Sequence, residues 1–127
     1  QNFTEYVKHY TEKLFEVSPI SISVNDDIAA ASHQILNGYF RKNLFFCVKE
    51  ALNNAIKHSG ATAIVIKIAA DKSGLQVSIS DNGNGTGTES PFGNGISNIR
   101  KRVKSLDGNV LFENANGLSV KIRVPFH

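Results

Sequence analysis

The sequence predicts an α+β fold, a two-layer sandwich in which a mixed, largely antiparallel sheet carries helices on one face. Three observations lead there. Apolar residues recur at three- and four-residue spacing in three stretches, which marks amphipathic helices. They alternate at period two in four others, which marks half-buried strands. Turn signals at Asp71-Lys72-Ser73-Gly74 and Asn116-Gly117 join consecutive strands so tightly that those strands must run antiparallel.

The elements follow in order. Phe3, Tyr6, Val7, Tyr10 and Leu14 outline a first helix, stopped by Ser18-Pro19. Ile20, Ile22 and Val24 alternate with serines as a short strand, and residues 25–40 are mixed, with a turn signal at Asn37-Gly38. A long helix spans about Arg41 to His58, with Ser59-Gly60 as its cap region. Ile64, Ile66 and Ile68 share one strand face, and Leu75, Val77 and Ile79 repeat the pattern. A glycine-rich stretch runs from Asp81 to Gly95. Ile96, Ile99, Val103 and Leu106 then mark a third helix, ended by Asp107-Gly108. Val110 to Phe112 and Leu118 to Phe126 form the last two strands. No repeat or linker interrupts residues 1–127, so a single domain is expected.

Composition narrows the function classes. Hydrophobic residues make up 41% and charged residues 20% of 127, as in an ordinary globular domain. No apolar run approaches the roughly 18 residues of a membrane span, so no membrane contact by this domain is expected. The net charge of +3 is scattered, and Arg100-Lys101-Arg102 reads as a solvated or phosphate-side helix face, so no nucleic-acid binding is expected. The single Cys47 excludes an internal disulfide and multi-cysteine zinc patterns, and points to a reducing compartment. It reads as a small buried residue. The absence of methionine suggests a piece of a longer protein.

On the long helix, Leu44, Val48, Ala51, Leu52 and Ala55 make an apolar stripe, while Glu50, Asn54, Lys57 and His58 share the other side. An amide oxygen at Asn54 can ligate Mg²⁺ without adding charge beside phosphates. Lys57 can neutralise a phosphoryl oxygen, and Glu50 can orient or deprotonate a nucleophile. Taken alone, the strip reads first as a solvated face with a routine Glu50–Asn54 pair. Asp81-Asn82-Gly83-Asn84-Gly85 follows a strand. A carboxylate there suits the amino group of adenine, although Asp-Asn-Gly is also plain turn vocabulary. Gly93-Asn94-Gly95 precedes a helix, whose free N–H groups favour phosphate. It too can be a simple flexible loop. There is no P-loop, and Asn98 stands where a dinucleotide-binding loop wants its third glycine.

Together these residues resemble the GHKL ATPases, the superfamily of gyrase, mismatch-repair and chaperone ATPases and histidine kinases. Glu50-Ala51-Leu52-Asn53-Asn54-Ala55-Ile56-Lys57-His58 resembles their N box, and Asp81-Asn82-Gly83-Asn84-Gly85 their first glycine box. Gly93 to Arg102 resembles the second box and following helix of two-component kinases related to nitrate and membrane-fluidity sensors. The likeness spans nearly the whole chain, with three boxes in order at family-like spacing.

The resemblance implies a Bergerat-like ATP-binding fold with Mg²⁺ at Asn54 and adenine at Asp81. It implies Glu50 as the base, and Lys57 and His58 toward the phosphates. Gly83, Gly85, Gly93 and Gly95 would allow close backbone approach, and residues 86–92 would form a short lid. Where such kinases begin the last strand with Gly-Thr, this chain has Gly117-Leu118, leaving Ser119 as the candidate for the adenine-side hydroxyl. The implied activity is transfer of the ATP γ-phosphoryl group to a histidine on separate dimerisation helices, and onward to a response regulator. The implied setting is the cytoplasmic part of a membrane-associated homodimer. None of His9, His33 or His58 is followed by an acidic residue, as the family's acceptor motif requires, so the acceptor is expected outside this chain. An anti-sigma-factor-type serine kinase and a nucleotide-gated interaction module are the alternatives.

Overall fold

A computed structural model describes residues 3–17, 20–28, 38–58, 61–70, 74–83, 93–114 and 117–125. Its elements are α1 (Phe3–Val17), β1 (Ser21–Ile28), α2 (Gly38–His58), β2 (Ala63–Ala70), β3 (Gly74–Asp81), α3 (Gly93–Ser105), β4 (Asn109–Asn114) and β5 (Leu118–Pro125). The order is the one the periodicities predict. The boundaries move: α2 begins at Gly38, about a turn early, and α3 already includes the glycines at 93 and 95.

The five strands form one sheet in the order β1-β2-β3-β5-β4. The hairpin pairs β2–β3 and β4–β5 are antiparallel, as is β3–β5. β1 and β2 are parallel, because α2 lies between them and returns the chain to the same end of the sheet.

Alternation explains the layering. Ile64, Ile66 and Ile68 of β2, Leu75, Val77 and Ile79 of β3, and Val120, Ile122 and Val124 of β5 are all buried. Leu44, Cys47, Val48, Ala51, Leu52 and Ala55 of α2 meet them in one cluster with Phe3 and Val7 of α1 and Ile99 and Val103 of α3. Each fully buried aliphatic side chain here stabilises the fold by about 1.5–3 kcal/mol relative to exposure. The other sheet face carries exposed Lys67, Gln76 and Lys121. The apolar pattern of α1 is not entirely core, since Tyr6 is 43% exposed and stacks on Phe45 of α2 instead.

The end of α3 fixes its direction. Asp107 takes a left-handed conformation (φ 57°), its N–H donates to the Lys104 carbonyl, and the Gly108 N–H donates to the Val103 carbonyl. This closes the helix as a Schellman motif with Asp107, rather than the neighbouring glycine, in the left-handed position. Gly108 is needed for another reason: a Cβ there would stand 2.5 Å from the Arg123 carbonyl oxygen. The C-terminus of α3 is therefore pressed against the Arg123–Val124 end of β5.

Candidate active site

Helix directions decide which residues meet. Four residues join His58 to Ala63, so α2 ends near the start of β2. That start is bonded to the end of β3 through Asn82. α3 ends at the opposite end of the sheet, beside Arg123. The two helices therefore run in opposite senses along the sheet. The C-terminal half of α2, the end of β3, the start of β5 and the N-terminus of α3 gather at one end.

The strand side of this region is tightly bonded. Asn82 accepts the N–H groups of Thr62 (2.9 Å) and Ala63 (3.0 Å) on its Oδ1, and its Nδ2 donates to Thr62 Oγ1 (3.0 Å). The middle residue of the Asp-Asn-Gly triplet is thus a brace for the α2–β2 connection. Asp81 Oδ1 accepts the N–H of Gly83 (2.9 Å) and of Leu118 (3.3 Å). Gly117, at φ 119°, presses against Asp81 so closely that a Cβ would overlap the Asp81 carbonyl oxygen. Asp81 is half-buried, and its Oδ2 makes no hydrogen bond to another described residue.

Strand parity separates two of the predicted residues. Asp81 continues the inward row of Val77 and Ile79, toward the helices. Ser119 alternates with buried Leu118 and Val120, so it faces the outer side, where its hydroxyl pairs with that of Ser80 at 2.8 Å. The structure thus does not bring the Ser119 hydroxyl to the helix side with Asp81. The inward side chain next to Asp81 is Leu118, as the alternation of β5 requires.

The helix side is less committed. Glu50 and Asn54 are half-buried, one turn apart on α2, and make no hydrogen bond or ion pair to another described residue. The neighbouring Asn53 is held by a side-chain hydrogen bond to Tyr10 of α1. Burial pushes the Tyr10 hydroxyl pKa up, the Asn53 bond opposes that, and the Glu50 charge adds to it. Lys57 and His58 lie in the last turn of α2, with side chains outside the described residues, as are Gly85 and the expected lid at 86–92. Gly93 and Gly95 occupy the first turn of α3. Among the described residues no three His, Cys, Asp or Glu side chains cluster for a metal. No described helix is long and apolar enough to cross a membrane.

Cys47 is fully buried, as expected. Burial raises its thiol pKa from an ordinary 9.0 to about 12, against the nearby Arg102 charge, so it is no nucleophile. Arg102 itself departs from the solvated face expected of its basic run. Arg100 and Lys101 are exposed, but Arg102 is half-buried and lies against α2.

Residues 40–127 match the family model described as histidine kinase-, DNA gyrase B-, and HSP90-like ATPase. The chain belongs to that family. Within it the domain is of the ATP-binding catalytic type carried by sensor histidine kinases, as its relatives indicate. It is 38% identical over 81 residues to the sensor histidine kinase YvfT of Bacillus subtilis, covering 62% of this chain and 21% of that protein. It is 28% identical over 106 residues to the sensor histidine kinase YxjM of the same organism, covering 82% of this chain and 26% of that protein. The chain thus spans about a fifth to a quarter of these relatives. In fold it is similar to the ATP-binding domain of PrrB from Mycobacterium tuberculosis, with a TM-score of 0.79 at 22% identity over 100% of this chain and 96% of that one. The histidine kinase domain from the blue-light-activated kinase of Erythrobacter litoralis EL346 superposes with a TM-score of 0.77 at 18% identity, over 98% of this chain and 61% of that one.

Proposed function

We propose that residues 1–127 form one catalytic domain that binds Mg-ATP and transfers its γ-phosphoryl group to a histidine on the dimerisation helices of a longer, homodimeric kinase. The observation that carries this reading is the gathering of Glu50 and Asn54, the inward-facing Asp81 and the N-terminus of α3 at one end of the sheet. A response regulator would take the phosphoryl group next. The setting is the cytoplasmic part of a membrane-associated parent.

Each residue has a task that its position suits. The free Oδ2 of Asp81 accepts the adenine amino group, while Oδ1 stays tied to the backbone and holds the carboxylate in place. Leu118 lines the apolar side of the base. The first N–H groups of α3, at Gly93 to Gly95, face the phosphates with the positive end of the helix dipole. Lys57 adds positive charge there, and His58 faces the same group. The donor set fits Mg²⁺, which keeps most of its water and takes one or two protein oxygens together with phosphates. Asn54 would hold it through the amide oxygen, and when bound it offsets phosphate charge.

Glu50 accepts the proton lost by the acceptor imidazole as its nitrogen bonds to the γ-phosphorus. The bond from that phosphorus to the bridging oxygen breaks, and ADP leaves. The deciding experiment gives the parent kinase, or this chain mixed with its acceptor helices, γ-labelled ATP. Acid-labile, base-stable label on histidine is expected. Label confined to serine, or none despite tight ATP binding, would overturn the assignment.

A further inference from the structure

One contact links the helices that carry the two halves of this site. The Arg102 guanidinium of α3 donates to Asn43 Oδ1 of α2 at 2.9 Å, and its carbon lies 4.4 Å from the centroid of the Phe46 ring. Asn43 is 9% exposed and fully engaged, since its Nδ2 donates to the Tyr39 carbonyl at 2.8 Å. Phe46 is gripped from elsewhere as well, by the Lys49 ammonium 5.5 Å from its centroid. The planar guanidinium is suited to both tasks at once, a directed donation and stacking on a ring. No carboxylate among the described residues pairs with it.

The position of this contact gives it a consequence. Arg102 is seven residues beyond Gly95, roughly 10 Å along the helix. Asn43 is seven residues before Glu50 and eleven before Asn54, roughly 10–16 Å. Because α2 and α3 run in opposite senses, fixing Arg102 against Asn43 sets the first turn of α3 level with Glu50 and Asn54. Arg102 is two turns from the glycine end, too far along the helix to serve as one of its phosphate-facing N–H groups. It acts through its helix.

We propose that Arg102 is a positioning residue which, through Asn43 and Phe46, sets the phosphate-facing start of α3 against the Glu50–Asn54 strip. The proposal rests on the nucleotide reading above and deepens it. The adenine end, built on Asp81, Gly117 and Leu118, is bonded independently of this clamp, so the two ends of one ligand should respond differently.

The experiment measures binding of Mg-ATP and of adenosine to the wild-type chain and to Arg102→Met, Arg102→Lys, Asn43→Ala and the Arg102→Met/Asn43→Ala pair. Thermal midpoints verify folding. Expected is a roughly tenfold loss of ATP affinity in Arg102→Met and Asn43→Ala, with adenosine affinity within twofold of wild type. The double variant should be no worse than Arg102→Met alone, because that substitution already removes the bond to Asn43 together with the contact on Phe46. Arg102→Lys, which keeps stem and charge, is the milder variant and should lose less in the same direction. Equal losses for ATP and adenosine, additive losses in the double variant, or unchanged ATP affinity in folded variants would each overturn the positioning role alone. A wild-type chain that binds neither ligand would overturn the nucleotide reading, and the positioning role with it.

Discussion

The two sides of the site differ in how their polar atoms are held. On the strand side Asp81 and Asn82 are bonded to the backbone at Thr62, Ala63, Gly83 and Leu118. On the helix side Glu50 and Asn54 are half-buried one turn apart, without a bonded partner among the described residues. Fixed hydrogen bonds suit recognition of a rigid planar base, since the acceptor is already aimed and little ordering entropy remains to be lost. Uncommitted carboxylate and amide oxygens suit a metal–phosphate group and a proton transfer, whose geometry is completed only when the reactants arrive.

That contrast can be broken, and the largest expected effect is on the helix side. Glu50→Gln should lower the phosphotransfer rate by roughly 10²–10⁴, with Mg-ATP affinity within about twofold of wild type. A single-turnover assay against a separate binding titration checks the split, and equal loss in both would make Glu50 a binding residue.

On the strand side the next largest effect is on stability. Gly117→Ala places a Cβ on the Asp81 carbonyl at a φ that side chains rarely adopt. We expect a loss of about 3 kcal/mol, seen as a thermal midpoint lower by roughly 10 °C. A midpoint within two or three degrees of wild type would mean that this turn is not rigid.

Asp81→Asn sharpens the comparison, because an amide can still accept the Gly83 and Leu118 N–H bonds while presenting a donor to the ligand. Adenine-nucleotide affinity should fall about 10- to 150-fold, the range of a hydrogen bond to a charged group, with the thermal midpoint little changed. Isothermal titration of adenosine and ATP together tests it. Unchanged affinity for both would remove Asp81 from the base-binding role.

The smallest effect concerns Cys47, buried in the core under α2. Its thiol pKa is higher folded than unfolded, so the folded state holds the proton more tightly. Stability from this residue is complete below about pH 9 and is lost as pH rises toward 12. The stability of wild type relative to Cys47→Ala should therefore decline above pH 9 in chemical denaturation. A pH-independent difference would show that the thiol is not shielded.

Much of this was legible in the chain. Period-two and period-3.6 apolar spacing located every element but β4, which the short apolar run Val110 to Phe112 marks, because inward strand residues such as Ile64, Ile66 and Ile68 and the α2 stripe are selected by the same core. Glu50 and Asn54 were readable as a pair, since helical spacing puts residues four apart on one side. Asp81 was readable as the end of a strand run. Arg102 was not readable. A basic run on a helix looks alike whether solvated or turned inward, and its partner Asn43 lies 59 residues away. Ser119 shows the same limit, because a hydroxyl near a glycine says nothing about which sheet face it serves until the strand register is known.

Local chemistry, then, was enough for the element order, the identity of the core faces and the set of polar residues available for chemistry. These depend on the periodicity of a helix or strand and on turn preferences within a few residues. The meeting of Asp81, Glu50–Asn54 and the start of α3, the turning away of Ser119 and the grip of Arg102 depend on helix direction, strand register and parity. Those are settled by contacts between residues far apart in the chain, where burial of one continuous core outweighs any local preference.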